Sequence, residues 1–273
     1  MGLYRVVVGG LPDWLDARRL LGDGDFEFSA EQGGRVSAQA RLDASAAADL
    51  AARLRGVGLG GRALTLAVEP ALPRVLRRRA LAEEARRYRS GSPGFGRGGV
   101  RLDAEGRRSL TPEALALSLG QRAAARGAGR VLDAAAGAGG NAIGFARAGL
   151  SVTAIERDAG RLECARHNAR VYGVAERIDF VHGDARVLVP EIEADLLFVD
   201  PPWGEGYDKQ RVEPTALPLL AELCTLASSE RPLWAKVPPS FAVETWPDAR
   251  PEAFFGVGEG DRRRVKFLIL ELS

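Results

Sequence analysis

Two short stretches of this chain hold residue types that could do chemistry. VLDAAAGAGGN at 131–141 reads as a strand, a tight glycine turn and the start of a helix. LLFVDPPW at 196–203 reads as another strand, ending in an acid, two prolines and an aromatic. Open α/β sheets bind ligands at the carboxyl ends of their strands, and Asp133 and the Gly137-Ala138-Gly139-Gly140 turn fall at such an end. Glycines there let the backbone approach the methionine part of a cofactor, and the Asp133 carboxylate can hold its amino group. A dinucleotide site would carry G-x-G-x-x-G, and GAGGNAI lacks the third glycine. Glu156 ends the strand SVTAIE about twenty residues past the turn, where an acid can accept hydrogen bonds from both ribose hydroxyls. That spacing fits a nicotinamide cofactor as well, so Glu156 points to adenosine rather than to one donor. Asp184, in HGDA, is placed to take an adenine amino group.

Asp200-Pro201-Pro202-Trp203 narrows the chemistry to methyl transfer from S-adenosylmethionine to an exocyclic amino group of a nucleobase. Such an amine is a poor nucleophile because its lone pair is delocalised into the ring. The site must hold the N–H groups with acceptors, aim the lone pair at the sulfonium methyl and exclude water. Asp200 and the Pro201 carbonyl are suitable acceptors, and the two prolines fix that carbonyl's direction. Trp203 offers a face for a stacked base, worth ~1–3 kcal/mol. The same residues would serve guanine N2 in RNA or adenine N6 in RNA or DNA. A protein glutamine amide fits less well, since enzymes acting on it favour Asn-Pro-Pro-Tyr. A catalytically silent RNA-binding protein would have no need to keep the glycine turn, Glu156 and Asp200 together.

Strands at GRVLDAA, SVTAIE, RIDFVHG, ADLLFVD, PLWAKV and RRVKFLILEL alternate with helices. This pattern predicts an α/β, Rossmann-like doubly wound sheet over 109–273, with the last long stretch turned back as an antiparallel strand. Thr111 is the expected N-cap of the entering helix, with Pro112 at its first position and Glu113 in its first turn. Residues 71–108 read as a connector. Its helical part, 71–89, holds seven arginines against two glutamates, and SGSPGFGRGG at 90–99 reads as a flexible turn. Arg77, Arg78 and Arg79 in that helix are candidate contacts to a nucleic-acid backbone.

The first seventy residues read as a βαββαβ unit: strands at 4–12, 26–31, 35–42 and 62–68, a first helix capped by Asp13 and running to Leu21, and an alanine-rich second helix. VVVGGLP and LGGRALTLAVEP in this order resemble an RNA-recognition-motif domain, which implies a small ferredoxin-like α+β fold over 1–70. Such domains stack bases on aromatics in two strands, whereas Val7, Ser37 and Gln39 stand at the matching positions.

From about Gly98 onward the chain resembles the RNA cap guanine-N2 methyltransferase (trimethylguanosine synthase) family. GVRLDAEGRRSLTPE, VLDAAAGAGGNAIGFARAG, VTAIERDAGRLECARHNARVYGV and DPPWGEGY carry the resemblance. It implies a class I methyltransferase fold, S-adenosylmethionine as cofactor, and transfer to N2 of guanine in RNA. It also places Asn141 in the cofactor turn, Asp200 beside the cofactor, and Trp203 and Tyr207 against the substrate nucleotide. The chain departs from the family at Asp200, where cap enzymes have serine, and at Arg107 and Arg108, where they have aromatics. Both departures leave tRNA, rRNA or another guanine-containing RNA open as the substrate.

The chain has 273 residues, 46% of them hydrophobic, which is ample for a packed core. No apolar run approaches the ~20 residues that cross a bilayer, and MGLYRVVVGG carries no signal-peptide pattern. Cys164 and Cys224 make neither a metal spacing nor a disulfide framework, and His167 and His182 read as structural. A soluble cytoplasmic protein with no metal and no membrane partner is expected.

Overall fold

Apolar alternation in the first strands builds a sheet with one covered face. The computed structural model describes residues 2–204 and 206–273. Its N-terminal unit runs β1 (Tyr4–Pro12), α1 (Ala17–Leu21), β2 (Glu27–Glu31), β3 (Arg35–Leu42), α2 (Ala44–Leu54), a short ribbon β4 (Gly58–Leu59) and β5 (Arg62–Ala63), then β6 (Thr65–Glu69). Four of these strands pair antiparallel in the order β2-β3-β1-β6. Val6, Val8, Ala38 and Ala40 point into the core with Leu50 and Leu54 of α2. Val7 and Gln39 lie side by side on the opposite face. Asp43 caps α2 by accepting from the Ser45 and Ala46 amides. The first helix starts later than expected. β1 continues to Pro12 and Asp13 lies in the turn, its amide bonded to Gly34, so Asp16 makes the cap instead.

The arginine-rich segment forms α3 (Arg74–Arg89), which packs against α2. The connector then holds a short helix that the sequence pattern missed, α4 (Ala104–Ser109), capped by Asp103. The expected flexible turn at 90–99 is pinned. The Gly96 amide donates to Glu113 Oε2 (2.6 Å) and to the Tyr172 hydroxyl (3.1 Å). Further on, Asn168 bonds both the amide and the carbonyl of Arg101. Glycines let this strap lie close, but its partners are distant in sequence, so local composition could not reveal them.

The remaining elements are α5 (Glu113–Ala125), β7 (Arg130–Asp133), α6 (Gly140–Arg147), β8 (Ser151–Glu156), α7 (Ala159–Tyr172), β9 (Ile178–His182), α8 (Ala185–Leu188), β10 (Leu196–Val199), α9 (Pro218–Leu223), β11 (Leu233–Val237), β12 (Arg250–Phe255) and β13 (Val265–Leu272). The sheet order is β12-β13-β11-β10-β7-β8-β9. Neighbours from β9 to β11 are parallel, and β13 runs antiparallel to both β11 and β12. This is the class I methyltransferase form of a doubly wound sheet. Edge strand β12 was not anticipated, because its proline and charged residues mask the strand pattern. Strand order reverses between β7 and β10, so the ligand crevice of such a sheet opens beyond their carboxyl ends.

Several contacts seat the N-terminal unit on the larger sheet and its loops, among them Arg19 donating to the Gly256 carbonyl and Arg211 to the Gly61 carbonyl. Phe255 of β12 is part of the N-terminal unit's core. The β4–β5 ribbon donates from Gly58 N to Lys209 O and from Gly60 N to Pro239 O, both at 2.9 Å. A Cβ on Gly58 would overlap the Gln210 carbonyl. Gly58→Ala is therefore expected to cost about 1–3 kcal/mol through overpacking, read as a lowered thermal midpoint. Gly98→Ala, where a Cβ meets nothing within 4 Å, should leave the midpoint unchanged.

Candidate active site

The turn after β7 is tied to the strands on both sides. Ala134 N donates to Phe198 O and Ala136 N to Ile155 O, each at 2.9 Å. Gly137 (φ 54°) and Gly139 (φ 88°) take left-handed backbone conformations that L side chains rarely adopt. Gly139 is the residue from which α6 starts. Gly140 follows so close to Leu110 that a Cβ would lie 2.6 Å from its Cδ1.

Asp133, Asn141, Glu156 and Asp200 converge around this turn. Asn141 Nδ2 donates to Asp200 Oδ2 at 2.8 Å. Glu156 is buried, with Oε2 accepting from Gly137 N and Oε1 from Asp158 N, both at 2.9 Å. Each of its oxygens keeps a lone pair for a further donor. Asp133 is fully buried, and burial, reinforced by the nearby Asp200 charge, pushes its carboxyl up to about 7. Asp133 Oδ2 and Asn141 Oδ1 are buried acceptors with no donor among the described residues. An unmet buried acceptor costs about 1–3 kcal/mol. The cluster thus fits a ligand that brings N–H donors and positive charge, as the methionine part of S-adenosylmethionine does.

Sequence reasoning passed over the residue that organises Asp200. Lys236, in β11, is buried, and its Nζ lies 2.7 Å from Asp200 Oδ2 and 2.8 Å from Thr111 Oγ1. It also lies 5.2 Å from the Trp203 ring centre. The signal was a single charge inside the otherwise apolar strand LWAKV, in a chain with only three lysines. The Thr111 expectation is corrected by the same contact. Thr111 gives α5 no side-chain cap, since the helix begins at Glu113 with Pro112 before it. Its hydroxyl instead meets the lysine's need for a buried acceptor.

Trp203 is half-buried, donates from Nε1 to Lys236 O (3.3 Å) and meets the Tyr207 ring edge-on at 5.5 Å. Burial, with the Tyr88 phenol nearby, raises the Tyr207 hydroxyl above its ordinary range. Pro201 is buried and Pro202 exposed. Among the described residues Asp184 makes no bond to the cluster: it is exposed, caps α8 through the Arg186 amide (2.9 Å) and pairs with that guanidinium (3.2 Å). Arg77, Arg78 and Arg79 lie on α3, outside the cluster, and Arg107 and Arg108 lie on α4. Among the described residues no group of three or more His, Cys, Asp or Glu side chains is placed to hold a metal ion. No helix there is long and apolar enough to cross a membrane.

Residues 128–214, which span the cluster except for Thr111 and Lys236, match the RNA cap guanine-N2 methyltransferase family. Over 103 residues the chain is 36% identical to the trimethylguanosine synthase of Saccharomyces cerevisiae, covering 35% of this chain and 33% of that one. It is 40% identical over 79 residues to ribosomal RNA small subunit methyltransferase J of Rhodopseudomonas palustris, covering 26% and 39%. The chain thus spans well under half the length of either relative. A solved RNA methyltransferase from Salinibacter ruber in complex with S-adenosyl-L-homocysteine is 20% identical, with 59% of this chain and 90% of that one covered and a TM-score of 0.38.

Asp133 gives a pH signature with a definite sign. Its folded carboxyl titrates near 7 and an unfolded one near 3.9, so between those values the folded state holds the extra proton. Its contribution to stability therefore falls as pH rises from about 4 to about 7. A cationic cofactor that bonds the ionised carboxylate would expel that proton below pH 7. Calorimetry of S-adenosylmethionine binding near pH 6, in buffers of different ionisation enthalpy, should show proton release that Asp133→Asn abolishes.

Proposed function

We propose that this chain, over a third of which aligns with trimethylguanosine synthase, transfers a methyl group from S-adenosylmethionine to the exocyclic N2 of a guanine in RNA. The observation that carries the reading is Asp200. It ends the strand beside the glycine turn, anchored through one oxygen by Asn141 and Lys236, with Trp203 alongside. Both bonds go to Oδ2, which leaves Oδ1 to accept an N–H of the target amine. The Pro201 carbonyl is the second acceptor. Two fixed acceptors on two N–H groups aim the amine's lone pair away from them, toward the crevice. When bound, S-adenosylmethionine supplies an electrophilic methyl group on a positively charged sulfur. Asp133, Asn141 and Glu156 hold the methionine and ribose ends of that cofactor, the last by its remaining lone pairs. Gly137, Gly139 and Gly140 keep the backbone free of side chains there, and Asp184 takes the adenine side. Trp203 and Tyr207 stack the guanine and exclude water from the amine. The proton lost from nitrogen has Asp200 Oδ1 as its nearest carboxylate acceptor.

The family match over 128–214 supports guanine N2 over adenine N6. The ion pair makes the test specific, because Asp200→Ala alone would strand a buried ammonium. Removing one partner of a buried pair costs about 3–5 kcal/mol. The double variant Asp200→Ala, Lys236→Met should recover most of that stability and still bind S-adenosylmethionine. Its turnover on RNA should nevertheless fall at least about a hundredfold. A folded double variant with near-normal turnover would remove Asp200 from the chemistry.

A further inference from the structure

The arginine-rich helix has an arrangement that its sequence does not show. Arg74, Arg77, Arg78 and Leu81 of α3 line a groove together with Ala48, Ala51 and Ala52 of α2 and Arg55, the residue that follows α2. The α3 residues stand at positions i, i+3, i+4 and i+7 and the α2 alanines at i, i+3 and i+4, in each case one face of the helix. Its lining is three alanines, one leucine and four arginines. Among the described residues none of these four arginine side chains has an ion-pair, hydrogen-bond or ring partner. Their neighbours further along α3 differ: Arg86 and Arg87 pair with Glu83, and Arg87 also with Asp49. Arg79 is exposed on another face of the helix and does not line the groove.

We propose that this groove is a second RNA-contact site, which holds the phosphate backbone of the substrate strand away from the reacting base. The inference rests on the RNA-methyltransferase reading and deepens it. Guanidinium forks recognise phosphate oxygens bidentately, and the alanines and leucine beside them offer no ring on which a base could stack. The groove therefore reads backbone, not sequence. The same helix leads to the site: Tyr88, near its other end, is exposed under the Arg264 guanidinium (4.8 Å) and lies close enough to raise the Tyr207 hydroxyl. Ten residues separate Arg78 from Tyr88, about 15 Å along a helix, or several nucleotides of a strand. The open face of the N-terminal sheet offers no comparable surface. Val7, Gln39 and Glu27 lie across it in one row, Arg5 pairs with Glu69, and none of these is aromatic.

The test is a salt titration of a short labelled single-stranded RNA binding to the full chain, followed by anisotropy. Neutralising four phosphates of a single strand contributes about 3 to the slope of log affinity against log salt, at ~0.7 each. Replacing Arg55, Arg74, Arg77 and Arg78 with alanine should flatten the slope by about that amount. Over a fourfold rise in salt, wild type should lose about 50-fold more affinity than the variant. Four lysines at these positions should keep the slope, and Arg77→Gln with Arg78→Gln should remove about half of the effect. Arg79→Ala should leave it close to wild type. Cofactor binding should be unchanged in every variant, which checks folding. An unchanged slope in the alanine variant, with RNA methylation intact, overturns the groove and leaves the proposed reaction standing. Groove-dependent RNA binding without methylation supports the groove while defeating the reaction. Wild type that binds RNA with no salt dependence overturns the groove and redirects it toward an acidic protein.

Discussion

One carboxylate oxygen joins much of this structure. Asp200 Oδ2 accepts from Asn141 at the start of α6 and from Lys236 in β11, and Lys236 in turn reaches Thr111 ahead of α5. β10 lies between β7 and β11 in the sheet, so its end is the point where these elements can meet. Taking an ammonium and a carboxylate out of water is costly unless both are closely paired and their remaining bonds are met. That requirement fixes the side chain of Asp200 and, through the following prolines, the direction of the loop that carries Trp203. The arrangement of the candidate site residues around Asp200 is thus set by the electrostatics of a single buried pair.

Charge also decides what the crevice can accept. Three carboxylates, Asp133, Glu156 and Asp200, gather at the carboxyl ends of β7, β8 and β10 with Lys236 as the one lysine bonded among them. Glu156 is stabilised by two backbone amides and Asp200 by its ion pair. Among the described residues Asp133 has only a long contact from the Ala135 amide (3.4 Å), and it holds its proton to near neutrality. A cationic ligand relieves this imbalance and a neutral one does not.

Much of this was legible in the chain. The glycine turn, the acid at the end of each key strand and the Asp-Pro-Pro-Trp run are local signals, and the fold places Asp133, Asn141, Glu156 and Asp200 together as their order suggested. The reversed final strand was also readable, because RRVKFLILEL is long and apolar. What stayed hidden depends on distant partners. Lys236 looked like an isolated charge until its strand lay beside Asp200, and Thr111 looked like a cap until that lysine arrived. The Gly-Pro connector looked loose because Glu113, Tyr172 and Asn168, which pin it, lie far along the chain. Asp184 is the reverse case: its cap of α8 is a purely local device, fully readable, and among the described residues its bonds go to Arg186 alone.

The central claim is that a guanine amine is the group held at Asp200. The most direct measurement is transfer of labelled methyl to RNA from a strain lacking the protein, followed by digestion and nucleoside analysis. Label is expected in N2-methylguanosine, and none when the Asp200 and Lys236 double variant is used. Label in N6-methyladenosine would contradict the guanine assignment while keeping the site. No label in RNA, with cofactor binding confirmed, would contradict the account as a whole.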